Sequence, residues 1–89
     1  MKISRLTLEN KRKTPMLVFI EPEAMDFWLQ PGEQCQLVAS SEEKEEAHFE
    51  IQHTDDGVTV FPSRGSGSIS VFQNEAELEC GHQRPASWP

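Results

Sequence analysis

The sequence has little positive charge. Its 89 residues include eight Lys and Arg against fifteen Asp and Glu, which gives a net charge of −7. This balance repels phosphate backbones and anionic membrane surfaces within the Debye length. The one basic cluster, residues 11–13, precedes Thr14 and Pro15 and has the composition of a solvated turn. Nucleic acid and membranes are therefore not expected as partners.

The sequence also lacks long apolar runs and closely spaced cysteines. The longest apolar run covers residues 16–20, far short of the ~20 residues of a membrane helix. Residues 1–10 alternate in polarity and lack the apolar segment of a signal peptide. Cys35 and Cys80 form no CxxC motif, and each shares a face with apolar neighbours. We therefore expect two buried free thiols and a cytoplasmic protein.

Alternation of apolar and polar residues is the dominant pattern, and no window has sustained helical periodicity. It predicts short strands over residues 3–9, 16–21, 26–30, 34–40, 47–54, 58–61, 69–73 and 76–80. The continuous apolar run within the second of these predicts a central strand that is covered on both faces. Two segments predict exposed loops, one rich in like charge and one rich in Ser and Gly, at residues 40–46 and 63–68.

Three turn sequences predict hairpins. Pro31-Gly32 suits a type II turn that joins residues 26–30 to an antiparallel strand at 34–40. Residues 29–38 resemble the strand-Pro-Gly-Glu-strand segments of immunoglobulin-like and cupredoxin-like sandwiches, which implies the same fold class. The other two turns are Asp55-Asp56-Gly57 and Asn74-Glu75.

Short strands joined by tight turns predict the fold class and its boundaries. We expect one all-β domain over residues 1–80, a small antiparallel β-sandwich of about seven strands. A small closed β-barrel is the alternative. Residues 81–89 contain two prolines without alternation and predict an extended C-terminal tail.

Residues that could catalyse a reaction or bind a metal are few. No serine occupies a GxSxG motif, and the glycine-rich segment lacks the lysine of a phosphate-binding loop. The candidate metal ligands are four imidazole and carboxylate side chains, His48, Glu50, His53 and His82. Regular strand geometry places His53 on the opposite face from His48 and Glu50. We expect no catalytic residues and no cofactor, and keep a metal-binding protein or metal-dependent enzyme as the alternative.

Two tryptophans remain as candidate binding residues. Trp28 falls on the polar face of its predicted strand, and Trp88 lies in the tail between Ser87 and Pro89. Exposed aromatic side chains frequently anchor interfaces. The alternative for Trp88 is that it folds back over Trp28 or a sheet edge and pins the terminus. We therefore predict a non-catalytic binding module that docks a protein partner, or a second copy, on an edge strand or on the Trp28 face.

Overall fold

The protein is a β-sandwich of eight short strands in two four-stranded sheets, which confirms the predicted fold class. The computed structural model describes residues 2–41, 48–63 and 66–88. The strands are β1 (Lys2–Glu9), β2 (Met16–Ile20), β3 (Met25–Leu29), β4 (Gln34–Ser41), β5 (Phe49–His53), β6 (Gly57–Pro62), β7 (Ser66–Gln73) and β8 (Ala76–Glu77). Within these ranges no helix has the length and apolar character needed to span a bilayer.

The two sheets, which we call sheet A and sheet B, have the orders β1-β4-β7-β8 and β3-β2-β6-β5. Neighbouring strands are antiparallel except β2 and β6, which run parallel. The inner faces of the two sheets form one core, whose fully buried members include Val18, Ile20, Leu29, Leu37 and Val60. All of the described strands thus belong to two open sheets packed face to face, and no closed barrel is formed.

The central strand β2 is buried on both of its faces, as its continuous apolar sequence predicts. Met16, Val18 and Ile20 point into the core between the sheets. Leu17 points to the opposite, outer face of sheet B, yet it is also buried at 7% exposure. Something other than sheet A must therefore cover this part of the outer face of sheet B.

The predicted hairpin of β3 and β4 is wrong. The turn itself forms: Gly32 has a φ of 85°, and the Glu33 amide donates to the Gln30 carbonyl oxygen at 3.0 Å. However, β3 pairs with β2 in sheet B, whereas β4 pairs with β1 and β7 in sheet A. The turn therefore carries the chain from one sheet to the other, because a reversal of direction does not by itself decide which strand pairs with which.

The other two hairpins form, and one predicted loop does not. β5 pairs with β6 across the Asp55-Asp56 turn, and β7 pairs with β8 across Asn74-Glu75, where both residues have positive φ. Residues 66–68 were expected in a Ser-Gly loop but begin β7, because Ser66 pairs with Ser41 beyond a bulge in the ladder. The acidic segment predicted as an exposed loop lies mostly outside the described residues.

Gly57 lets the backbone of β6 lie very close to the backbone of β2. A Cβ atom at this position would overlap the carbonyl oxygen of Leu17. Gly32, in contrast, has no neighbouring atom within 4 Å of a Cβ, although its positive φ favours glycine.

We therefore expect Gly57→Ala to lower the free energy of unfolding by about 3 kcal/mol or more, because rigid backbone must move to admit the methyl group. The matched variant Gly32→Ala should lose only about 1 kcal/mol, the cost of the left-handed backbone. Urea unfolding followed by circular dichroism measures both. Equal losses in the two variants would contradict the close approach.

Candidate functional site

The C-terminal segment, residues 81–88, covers the edge of β3 and part of the outer face of sheet B. His82 forms a parallel bridge with Phe27, and its carbonyl oxygen accepts the Trp28 amide at 2.9 Å. The Gln83 side chain donates to the Trp28 carbonyl oxygen at 2.8 Å. The segment expected to be an extended tail is therefore held to β3 by backbone and side-chain hydrogen bonds.

A buried carboxylate fixes this segment. Asp26 is 2% exposed and accepts two hydrogen bonds from Arg84, from Nε at 2.8 Å and from Nη2 at 2.6 Å. Trp28 Nε1 donates to the same carboxylate at 3.0 Å. The Arg84 hydrogen bonds lower the pKa of Asp26 to about 2, helped by Trp28 and opposed by burial. The carboxylate therefore stays ionised, and Arg84 neutralises it from the tail.

Trp88 completes the cover. Its ring contacts Trp28 edge-on at a centroid distance of 5.6 Å and Phe19 at 6.4 Å. The Arg84 guanidinium lies 5.9 Å from the Trp88 centroid, within cation–π range. Trp88 thus packs on its own domain, which is the local alternative predicted from the sequence.

The predicted exposure of Trp28 is wrong, although its predicted face is right. Trp28 points to the outer face of sheet B, but it is only 5% exposed because Trp88 and the tail cover it. A docking role for Trp28 was predicted from an exposure that the side chain does not have. Sequence reasoning also missed the Asp26–Arg84 ion pair. The available signal was an isolated acid, Asp26, within an apolar strand, which requires a cation nearby.

The four candidate metal ligands do not come together. His48, Glu50 and His53 lie on or beside β5, whereas His82 bridges β3 at the opposite edge of sheet B. Across residues 2–41, 48–63 and 66–88, no three His, Cys, Asp or Glu side chains form a group that could hold a metal ion.

The two cysteines are both free, but only one is buried. Cys35 lies in the core, where burial raises the pKa of its thiol to about 11. Cys80 was also predicted to be buried, but it is exposed, because β8 ends at Glu77 and Cys80 lies in the turn that leads to the tail. Its Sγ lies 3.6 Å from Asp26 Oδ1.

Strand β1 differs from β3 in having an open edge. At its end, Asn10 directs both backbone groups toward β4: its amide donates to the Glu33 oxygen and its carbonyl accepts the Gly32 amide. In an antiparallel ladder the residues that face the partner alternate. The ladder between β1 and β4 is regular, so the alternate residues Ile3, Arg5, Thr7 and Glu9 direct their N–H and C=O groups away from β4.

The far side of sheet A supports this assignment. If the direction of the backbone groups alternates regularly from β1 through β4 to β7, the N–H and C=O groups of Val71 must point toward β8. The Leu78 amide does donate to the Val71 carbonyl oxygen, at 2.7 Å. No described strand or tail segment pairs with the outer edge of β1, which stands at the end of its sheet. Among residues 2–41, 48–63 and 66–88, the outward backbone groups of β1 therefore have no strand partner.

A trough with a mainly polar lining lies beside this edge. It has a volume of about 440 Å³ between β1 and the edge strand β5, and its lining includes Ile3, Leu6, Phe49 and Ile51. Ile3 is 46% exposed, the largest value among the bulky apolar side chains of the described residues. The Ser4 hydroxyl is buried there without a hydrogen-bond partner among the same residues. The edge of β1 is thus bordered by a trough that has both polar and apolar lining residues.

The lowered pKa of Asp26 predicts acid sensitivity. Because its folded pKa of about 2 lies below the ordinary value of 3.8, the stabilisation is present above about pH 4. We expect about 2 kcal/mol of unfolding free energy to be lost as the pH falls from about 4 to about 2. In Asp26→Asn this component should vanish, and stability at neutral pH should fall by about 1–3 kcal/mol.

The control for this prediction is Asp55→Asn, which changes an exposed carboxylate in a turn. We expect Asp55→Asn to unfold with the same pH dependence as the wild type in urea titrations at each pH. An unchanged acid profile in Asp26→Asn would contradict the role of the ion pair.

The alternation of backbone direction predicts alternating hydrogen exchange along β1. The amides of Arg5 and Thr7 face the open edge and should exchange at near-intrinsic rates in dilute protein. The amides of Leu6 and Leu8 face β4 and should exchange at least ~100-fold more slowly. Exchange detected by NMR on micromolar protein measures this difference. Uniform protection from Ile3 to Glu9 would show that the edge is covered.

The two edges thus differ: the edge of β3 is covered by the chain's own C-terminal segment, whereas no described residue pairs with the outer edge of β1. Outward backbone groups can bind an extended peptide segment, whereas the described residues bring no reactive groups together. In comparisons with known proteins, the chain matches no protein-family model, no curated protein and no solved structure.

Proposed function

We propose that the protein is a non-catalytic binding module that accepts an extended segment of a protein partner along the open edge of β1. The observation that carries this proposal is the eight-residue edge strand whose alternate residues direct their backbone groups outward. A strand added there would gain main-chain hydrogen bonds, and its alternate side chains would lie over the trough between β1 and β5. This is β-strand addition, a common mode of peptide recognition.

The other edges support the choice of β1. Proteins usually protect sheet edges with short strands, charges or covering segments. The edge of β3 is covered by the C-terminal segment, β8 has only two residues, and β5 has five with polar side chains at Glu50, Gln52 and His53. β1 is longer than each of these edge strands and contains neither proline nor a bulge. It is therefore the best-suited strand for pairing with a partner.

Thr7→Pro tests the proposal. Its amide faces the open edge, so proline removes a donor to the partner and leaves the ladder with β4 intact. We expect this variant to remain folded and to lose partners that the wild type captures from a lysate of the source organism. Thr7→Val, which keeps the amide, should capture them as the wild type does.

Leu6→Pro is the control for the assignment of backbone direction. Its amide faces β4, so proline at this position should break the ladder and destabilise the fold by about 3 kcal/mol or more. Circular dichroism distinguishes the two proline variants. If captured proteins are retained equally by Thr7→Pro and the wild type, they bind elsewhere and the proposal is wrong.

A further inference from the structure

We infer that the segment accepted by the β1 edge is β1 of a second copy of this chain, paired antiparallel about a two-fold axis. This inference rests on the proposed function, since it identifies the partner of the same edge. It follows from three properties of β1: the direction of its backbone groups, the face of each side chain and the order of its charges.

Symmetry restricts how two β1 strands can pair. A two-fold axis between antiparallel strands runs perpendicular to the sheet, so the outer faces of both sheets point the same way. A residue with an outward side chain must then lie opposite another of the same kind. Ile3, Arg5, Thr7 and Glu9 are exposed on the outer face and also direct their backbone groups to the edge. Both copies therefore present matching groups to each other.

The charges then select the register. A register centred on Arg5 places two guanidinium groups directly opposite each other, which is unfavourable. A register centred on Leu6 places Arg5 opposite Thr7 of the second copy, with Glu9 and Arg5 of that copy on its two diagonals. Because the pairing is symmetric, the contact between Arg5 and Glu9 occurs twice and the contact between the two Arg5 side chains once, so attraction exceeds repulsion.

Shifting the register by one more step centres it on Thr7 and puts Arg5 directly opposite Glu9 of the second copy. That register leaves Ile3 unpaired, whereas the one centred on Leu6 pairs every residue from Ile3 to Glu9. The Leu6-centred register forms four pairs with outward backbone groups and so about eight interchain hydrogen bonds. In either register, Arg5 of one copy meets Glu9 of the other.

Apolar side chains also meet on the inner side of the joined sheets in this arrangement. Leu6 meets Leu6 of the second copy at the centre, and both are half-buried beside the trough. Phe49 and Ile51 of β5 line that trough and pack against the core. The second copy would therefore cover apolar surface as well as satisfy the backbone of β1.

Sedimentation equilibrium from about 1 µM to about 1 mM protein tests the inference, with about 0.15 M salt to screen the repulsion between the acidic copies. Because one strand per copy makes a small interface, we expect a dissociation constant on the order of 10–100 µM. Arg5→Glu and Glu9→Arg should each weaken dimerisation at least ~10-fold, since each places like charges together. The double variant Arg5→Glu/Glu9→Arg should restore it.

The two single variants control for net charge. Arg5→Glu replaces a positive with a negative charge and changes the net charge from −7 to −9, whereas Glu9→Arg does the reverse and changes it to −5. Weaker association in both cannot come from overall repulsion. Both side chains are exposed, so thermal unfolding should confirm that the variants stay folded.

Five outcomes of these measurements distinguish the proposals. A dimer that is weakened by each single variant and restored by the double supports the inference. A wild type that stays monomeric at about 1 mM, or a double variant no tighter than the singles, overturns it. If the monomeric protein still captures other proteins in a Thr7-dependent manner, the proposed function stands without the second copy. A dimer that Thr7→Pro does not weaken forms through another surface and overturns the inference, whereas the proposed function is rejected only if Thr7→Pro also captures the same proteins as the wild type.

Discussion

The structure depends on covering both faces of the apolar strand β2. One face is covered by sheet A in the ordinary way of a sandwich. The other would expose Leu17 and the flanking aromatic rings to water if the chain ended with β8. The segment after β8 supplies this cover, and the hydrogen bonds from Arg84 to Asp26 attach it at a fixed point. The tail is therefore a partly exposed cover on the outer face of sheet B, and its residues lie outside the buried core.

This cover also determines which surface is available to partners. The same residues that bury Trp28 close the edge of β3, so displacing them would expose apolar rings and leave the Asp26 carboxylate without its cation. No described segment covers the outer edge of β1 in this way. The inward residues of β1 pair with β4, and no described residue pairs with its outward backbone groups. The proposed binding at β1 therefore displaces none of the described segments.

The sequence predicted the strands well because each follows from local alternation. β1, β2 and β4 differ from their predicted bounds by at most one residue. The pairing of β3 with β2 could not be predicted, because the Pro31-Gly32 turn has the same local geometry whether or not the next strand stays in the sheet. The burial of Trp28 was missed for a related reason: alternation assigns a residue to a face but does not show what covers that face. For Trp28 the cover begins 53 residues later in the chain, at Gly81.

The open edge of β1 could not be predicted from the sequence either. The composition of β1 resembles that of any half-buried strand, and its openness appears only when the order of sheet A places it at the end. Given that position, the sequence is informative again, because the odd-numbered residues of β1 have both the outward backbone groups and the exposed charged side chains. Arg5 and Glu9 are four residues apart and share that parity, so an antiparallel copy offers each the opposite charge. A peptide without this spacing would match the backbone of β1 but leave its charges unpaired, and a second copy matches both.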